Sequence, residues 1–366
     1  MAADSITFAR GAPSLDIVAA DELRAAADRA LAADPKGAFS YGTAWGYGPL
    51  REWIAERQGV ALERVLTTNG SMQADAFLFQ HLLEAGDLVV VEAPTYDRTL
   101  LSLRSLGAEI LAIPLEDDGL DVGALERALE GGAKPKLAHV IPNFHNPGGS
   151  TLSLDKRRRL LELSERHGFV LFEDDPYVEL RFRGERLPTM ISLDRSDRVV
   201  YASSFSKTVC PGVRVGYLVG PEGTIGDIRE MATNTYISPS MVAQAIVAEF
   251  CRSGAIERSI ETVKLALEER LQTLATALER HLPDARFSPP DGGYFLWVEL
   301  PEGADVDALA KAAADRGVVF VKGTDFFLEG GENTLRLAYS GVTPEEIEEG
   351  VSRLAEAYQS LAGAAA

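Results

Sequence analysis

From about residue 64 onward, short runs of β-branched and aliphatic residues alternate with longer stretches of helical periodicity, and this alternation constrains the fold more than any other feature. The runs "RVLTTNG", "DLVVVEAP", "AEILAIPL", "KLAHVIP", "FVLFEDD", "RVVYASS" and "VGYLVGP" read as seven strands. Several are almost wholly apolar, which predicts burial on both faces. Between them, "MQADAFLFQHLLEAG", "DVGALERALEGG" and "SLDKRRRLLELSERHG" carry helical spacing, each closed by glycine. The pattern predicts an α/β fold, a mainly parallel seven-stranded sheet flanked by helices.

After residue 220 the pattern changes. Long helices are predicted over roughly 224–252 and 254–282, followed by an α+β tail: "GGYFLWVELP", a helix over 305–316, "VVFVKG", "NTLRLAYS" and a closing helix over 344–361. The expected division is a large domain over 41–255 and a small C-terminal domain over 256–366, with residues 1–40 as an N-terminal segment packing with the small domain.

Composition excludes several classes of function. The formal charge is −19 with no clustered Lys and Arg, which argues against nucleic-acid binding. No apolar run approaches the roughly 20 residues that span a bilayer, and "MAADSITFARGAP" lacks the basic-then-apolar layout of a secretory signal. A cytoplasmic protein without a membrane partner is expected. Cys210 and Cys251 have neither a CxxC partner nor a His at ligand spacing, so they read as free thiols and no metal centre is expected.

In an open parallel sheet, ligands bind beyond the carboxyl ends of the strands. Those ends are polar here: Gly70 and Ser71 after the first run, Pro94 and Tyr96 after the second, Asn143 and Asn146 after the fourth, Asp174 and Tyr177 after the fifth, and Ser204, Ser206 and Lys207 after the sixth. "NGSMQA" puts glycine and serine where a helix begins, which suits either a plain helix cap or a phosphate site. Ser204, Ser206 and Arg214 add donors suited to the same anion. Asp174 in "FEDDPYVEL" reads either as a turn residue or as a carboxylate that keeps a cationic ring nitrogen protonated. Lys207 alone reads as a solvated lysine, but a desolvated lysine near other cations has a lowered pKa and forms Schiff bases. A phosphate site, an aspartate, an aromatic ring and a reactive amine on one rim together suit pyridoxal 5′-phosphate.

At "NFHNPGG", "EDDPY" and "SFSKTVCPGVRVG", in that order and spacing, the chain resembles the fold-type I pyridoxal-phosphate aminotransferases of class I/II, the aspartate aminotransferase superfamily, and within it the 2-aminoadipate aminotransferase-like group. The likeness runs from "FARGAP" to "LRLAYS". It implies a ping-pong aldimine/ketimine transfer of an amino group from an L-amino acid to a 2-oxo acid, with 2-oxoglutarate as the expected acceptor. By position, the resemblance implies Lys207 as the Schiff-base lysine and proton shuttle, and Asp174 as partner of the pyridine nitrogen. Asn146 and Tyr177 are implied on the ring's phenolic oxygen and Tyr96 stacked on the ring. Ser71, the Met72 backbone, Ser204, Ser206 and Arg214 are implied on the phosphate, with Tyr41 reaching it from the other subunit of a homodimer that shares its active sites. Arg336 and the backbone of Gly11 are implied on the substrate α-carboxylate, beside Asn146 and Tyr41.

Two departures stand out. Little precedes "ITFARGAP", whereas relatives of the 2-aminoadipate group carry an extra N-terminal helix that helps select substrate, so side-chain preference does not carry over. Lys322 stands where many relatives have proline, and Arg10 and Lys322 are the nearest candidates for a second substrate carboxylate or for plain surface roles. A lyase, decarboxylase or racemase on the same scaffold is the alternative enzyme. A non-catalytic effector-binding domain of a transcription regulator is the alternative outside enzymes, and it expects a basic DNA-binding segment ahead of the domain. A nicotinamide enzyme expects a GxGxxG after the first strand, which the sequence lacks.

Overall fold

The computed structural model describes residues 5–365. After a two-residue strand, β1 (Ile6–Thr7), and three N-terminal helices, the chain builds a central sheet of β2 (Val65–Thr68), β3 (Leu88–Ala93), β4 (Glu109–Glu116), β5 (Gly119–Leu120), β6 (Leu137–Val140), β7 (Val170–Asp174), β8 (Val199–Ser204) and β9 (Gly216–Val219). The order is β2-β9-β8-β7-β6-β3-β4-β5. Strands β4, β3, β6, β7 and β8 run parallel. Strand β9 is antiparallel to both of its neighbours, β8 and β2.

All seven runs singled out in the sequence form strands of this sheet. The eighth, β5, pairs antiparallel with the end of β4 through Leu115↔Leu120 and Glu116↔Gly119. It was missed because "EDDGL" is a polar turn whose two strand residues carry no periodicity.

The apolar runs are buried on both faces, and their residues alternate between two cores as the pleat requires. Leu66, Val89, Val91, Leu137, Phe172 and Val200 pack on one face with Phe77 and Phe79 of the helix Ser71–Leu82. Val65, Val90, Ala138, Val140, Leu171 and Val199 pack on the other. Fully burying such a Val or Leu contributes about 1.5–3 kcal/mol, which commits these runs to the sheet centre.

The helix expected over 224–252 is two helices, Glu222–Tyr236 and Met241–Arg252. Between them Ile237 has φ +69°, Pro239 follows, and the Ser240 hydroxyl accepts from Ala243 N to cap the second helix. The two segments join end to end in helical spacing, so periodicity alone reads through the break.

A second core lies around an antiparallel sheet of β10 (Arg286–Phe287), β11 (Phe295–Glu299), β13 (Val321–Lys322) and β14 (Thr334–Ala338), ordered β10-β11-β14-β13. Strand β12 (Val318–Val319) pairs parallel with β1, so the N-terminal segment joins this C-terminal unit. Phe8 and Ile17 share its core with Leu267, Leu271 and Leu337. Buried Arg270 fastens the segment by donating to Ser14 Oγ at 2.9 Å, Asp16 Oδ2 at 2.6 Å and Ser340 O at 2.8 Å.

Residues 20–39 depart from the expectation for 1–40. Ala26 and Ala30 of the helix Ala20–Ala33 belong to the central-sheet core, packed with Ala245 and Ala248 of Met241–Arg252, because small residues on both helices permit close approach. The long helix Ala255–His281 ties the two units. Its Ala255, Ile256 and Ile260 belong to the central-sheet core, and from Val263 onward its buried residues belong to the C-terminal core.

Candidate active site

A cavity of about 200 Å³ opens at the carboxyl ends of the parallel strands. Strand direction places its walls. Parallel strands end at this rim and deliver Ile141, Asp174 and Ser204, while antiparallel β9 begins there and brings Arg214, two residues ahead of it, beside them. Ser71, Met72, Tyr96, Asn146, Asp174, Tyr177, Ser204, Ser206, Lys207 and Arg214 all line the cavity.

At one end the helix Ser71–Leu82 starts without a side-chain cap, so its first N–H groups are available to an anion. Gly70 adopts φ +87°, and a Cβ there would lie 2.3 Å from Arg214 Nη2. Ser204 Oγ donates to Ser206 Oγ at 3.0 Å, and Arg214 Nη1 donates to Ser206 Oγ at 3.4 Å. Helix terminus, hydroxyls and guanidinium converge on a site for a dianionic group.

At the other end stands Asp174. Strand alternation sends Glu173 to the opposite face, where its oxygens accept from Met190 N at 2.8 Å and Ile191 N at 2.9 Å. Asp175 turns to Asn143, whose Nδ2 donates to Asp175 Oδ2 at 2.8 Å. Asp175 is therefore structural, and burial pushes its carboxyl well up. Asp174 Oδ2 lies 3.5 Å from His139 Nε2, while its buried Oδ1 has no hydrogen-bond partner among the described residues. A buried acceptor left open in this way suits a cationic ring N–H.

Lys207, half-buried, lies between the two ends. Its Nζ donates to Gly11 O at 2.5 Å and sits 5.5 Å and 5.4 Å from the rings of Tyr177 and Tyr294. Burial and the positive charges of Arg336 and Arg214, opposed by Asp174, bring its ammonium down to about 8. Burial holds the Tyr177 phenol well above its ordinary range and pushes Tyr96 up to about 12, so both remain hydrogen-bond donors. Tyr96 is half-buried, with Oη 4.0 Å from Met72 Sδ.

Arg336, buried on β14, donates from Nη1 to Asn146 Oδ1 at 2.7 Å and from Nη2 to Ala9 O at 2.6 Å. Its guanidinium lies 4.3 Å from the Phe295 ring and 5.0 Å from the Phe326 ring. With Oδ1 engaged by Arg336, the Asn146 amide keeps its NH₂ as a donor. The loop carrying Asn146 is held by buried His145, whose Nε2 lies 3.0 Å from Glu92 Oε2 and whose Nδ1 accepts from Gly148 N at 3.1 Å. Glu92 Oε2 also accepts from Ile141 N at 2.9 Å.

Tyr41 stands apart, 88% exposed and outside the cavity of its own chain. Lys322 is occupied by Asp307, with Asp325 at 3.9 Å, and Arg10 is exposed. Sequence reasoning missed Asp75, His139, Tyr294 and Phe295. Asp75 lines the cavity one helical turn after Ser71, with a buried Oδ1 that has no hydrogen-bond partner among the described residues. Burial and the nearby Asp174 charge push its carboxyl well up. A signal existed, a lone acid in the otherwise apolar helix "ADAFLF". His139, Tyr294 and Phe295 lie inside apolar runs that read as core.

An anion cradle, an unpartnered carboxylate oxygen and a desolvated amine between them fit pyridoxal 5′-phosphate: Ser71, Ser204, Ser206 and Arg214 toward the phosphate, Asp174 toward the ring nitrogen. They define a vitamin B6 enzyme of fold type I. The family model described as aminotransferase class I and II matches residues 3–354. The chain is 37% identical to the 2-aminoadipate transaminase of Thermus thermophilus over 361 residues, 97% of this chain and 90% of that one. It is 34% identical over 365 residues to aromatic-amino-acid aminotransferase 1 of Thermococcus litoralis, covering 96% and 88%. The crystal structure of the alpha-aminoadipate aminotransferase LysN from Thermus thermophilus, complexed with N-(5′-phosphopyridoxyl)-L-leucine, superposes with a TM-score of 0.94 at 36% identity, covering 98% of this chain and 93% of that one. The chain belongs to the class I and II aminotransferases, and it is a pyridoxal-phosphate-dependent aminotransferase. Among the described residues no helix is long and apolar enough to cross a membrane.

Proposed function

We propose that this enzyme moves the amino group of an L-amino acid to a 2-oxo acid, 2-oxoglutarate being the acceptor, with Lys207 as the catalytic amine. The observation that carries the reading is Lys207 Nζ in one cavity with the open oxygen of Asp174 and the carboxylate-sized fork of Arg336 at its edge. When bound, the cofactor supplies an aldehyde that condenses with an amine and a ring that accepts electron density from the substrate Cα.

Each residue has a role in that chemistry. Ser71, the Met72 backbone, Ser204, Ser206 and Arg214 anchor the phosphate, and Tyr96 covers the ring. Asp174 keeps the ring nitrogen protonated, and Asn146 and Tyr177 donate to the phenolic oxygen. Lys207 would take the Cα proton, a task suited to an amine lowered to about 8 because a minority of it, far more than of an ordinary lysine, is neutral at physiological pH. Arg336 receives the α-carboxylate in bidentate fashion, with Gly11 alongside. The named relatives act on 2-aminoadipate and aromatic amino acids, which supports donors of those two kinds.

The working unit is a homodimer in which Tyr41 reaches the phosphate of the other subunit. Its exposure supports this, together with exposed Leu15, Phe39, Ile237 and Val242. The large domain is 41–255, with the helix Ala20–Ala33 packed on its core, and the small one is 256–366, its first helix beginning in the large-domain core through Ile256 and Ile260. Two free thiols support a cytoplasmic location, and the charge of −19 argues against nucleic-acid partners.

The test is a half-reaction: the purified holoenzyme is mixed with each of the twenty amino acids and the cofactor's aldehyde band is followed as it gives way to the amine band. No shift with any amino acid sinks the reading. Lys207→Ala is expected to lose the cofactor mass that borohydride otherwise fixes to the chain, with the fold retained.

A further inference from the structure

Lys207 is held from a direction that its own loop does not explain. Tyr294, fully buried at the start of β11, donates from Oη to the main-chain carbonyl of Lys207 at 2.8 Å across 87 residues of sequence. Its ring lies 5.4 Å from Lys207 Nζ and 5.6 Å from the Tyr177 ring, itself 5.5 Å from the amine, so the amine and the two ring centroids form a nearly equilateral triangle and the paired rings make one aromatic wall beside the amine.

The segment carrying Tyr294 has little freedom. Tyr339 Oη donates to Gly293 O at 2.8 Å, Gly293 N donates to Leu180 O at 3.0 Å, and Tyr339 N donates to Tyr294 O at 3.1 Å. A Cβ on Gly292 or Gly293 would fall 2.5 Å or less from Phe144 or from Leu180 O. Burial keeps the Tyr294 phenol protonated far into alkali, so the hydrogen bond has a permanent donor. The next residue, Phe295, lies under Arg336. One four-residue stretch of the C-terminal unit thus touches both the amine and the guanidinium of the site.

We propose that Tyr294 is a positioning residue for Lys207: by bonding the lysine's main chain and walling its amine, it sets from the C-terminal sheet where that amine stands in the cavity. The proposal rests on Lys207 being the reactive amine. Its consequence is that removing the hydroxyl alone alters the lysine's chemistry without altering substrate recognition, which belongs to Arg336.

The experiment compares holoenzymes carrying Tyr294→Phe, Tyr294→Leu and, as a control away from this segment, Tyr47→Phe, which loses the hydrogen bond from Tyr47 Oη to Asp34 Oδ2 at 3.0 Å and does not line the cavity. Three readouts are taken: kcat and KM for the best amino acid, the rate at which hydroxylamine strips the cofactor from the chain, and the melting temperature. Tyr294→Phe is expected to lower kcat by roughly threefold to tenfold, the size of one net hydrogen bond, with KM within about twofold of the parent. The hydroxylamine rate is expected to change by a similar factor, and Tyr294→Leu to exceed both effects. Tyr47→Phe is expected to lower the melting temperature and leave the hydroxylamine rate alone. Parental kcat and hydroxylamine rate in Tyr294→Phe overturn the proposal, as does an effect confined to KM or one that Tyr47→Phe reproduces in full. Borohydride fixation lost in Lys207→Ala, with Tyr294→Phe unchanged, defeats this inference alone, whereas fixation that persists in Lys207→Ala defeats the reading beneath it.

Discussion

At the scale of single residues, the carboxylate at one end of the cavity and the amine between its two ends carry the sharpest consequences. Lys207 is lowered from its ordinary 10.5 to about 8 because burial and two guanidinium charges disfavour its ammonium. In the cofactor-free protein the unfolded chain therefore holds a proton between pH 8 and 10.5 that the folded chain has released. Unfolding free energy rises with pH across that window, and the penalty of the buried ammonium is fully present below it. Lys207→Met, uncharged and similar in length, is expected to melt higher than the parent at about pH 7, with the gap closing towards about pH 10. A gap that stays constant in thermal melts of the two cofactor-free proteins refutes the buried ammonium as its cause. Asp174→Asn keeps shape and removes charge. It is expected to cut kcat/KM by at least about a hundredfold, roughly 3 kcal/mol of transition-state stabilisation, while borohydride still fixes cofactor to Lys207.

At the scale of elements, the site depends on where strands end and how closely backbones approach. Gly216 opens β9 against the N-terminus of the helix Ser71–Leu82, and a Cβ there would fall 2.5 Å from Gly70 C and Ser71 N. Gly216→Ala is expected to push that helix terminus away from the phosphate and to weaken cofactor binding by about tenfold or more, about 1.4 kcal/mol, as read by fluorescence titration of the cofactor-free protein. Glu92→Leu leaves the buried Ile141 N–H without its acceptor and removes the carboxylate 3.0 Å from His145 Nε2. A loss of about 1–3 kcal/mol for the stranded N–H is expected in urea unfolding, with the Asn146 loop loosened. The sequence made these strands legible because residues buried on both faces leave unmistakable apolar runs. It also made most of the cavity wall legible, because polar residues just past those runs have few other reasons to be there. Asp75 and Tyr294 escaped because each lies within an apolar segment, where only the fold reveals which way a side chain points. The break at Ile237 escaped because two helices meeting at Pro239 preserve one periodicity, and β5 because a two-residue edge strand has none.

At the scale of the whole molecule, each chain holds a nearly complete cavity yet leaves Tyr41 in solvent, 88% exposed beside exposed Phe39. An aromatic ring in that position gains little from folding, which fits the proposed use by a second chain. If Tyr41 serves the partner's phosphate, one site is built from Lys207 of one chain and Tyr41 of the other, which makes the arrangement testable by complementation. Lys207→Ala is expected to be inactive and Tyr41→Ala strongly impaired, each on its own. Mixed in equal amounts and allowed to exchange subunits, they form hybrid dimers in which one site carries both defects and the other carries neither. Half the dimers are hybrids, so about a quarter of all sites recover parental activity, a fraction set by the two-fold symmetry alone. If Tyr41 acts only within its own chain, every site in the mixture keeps one defect, and activity stays at the average of the two variants. Turnover measured before and after exchange, with subunit mixing followed by native mass spectrometry, decides between the two.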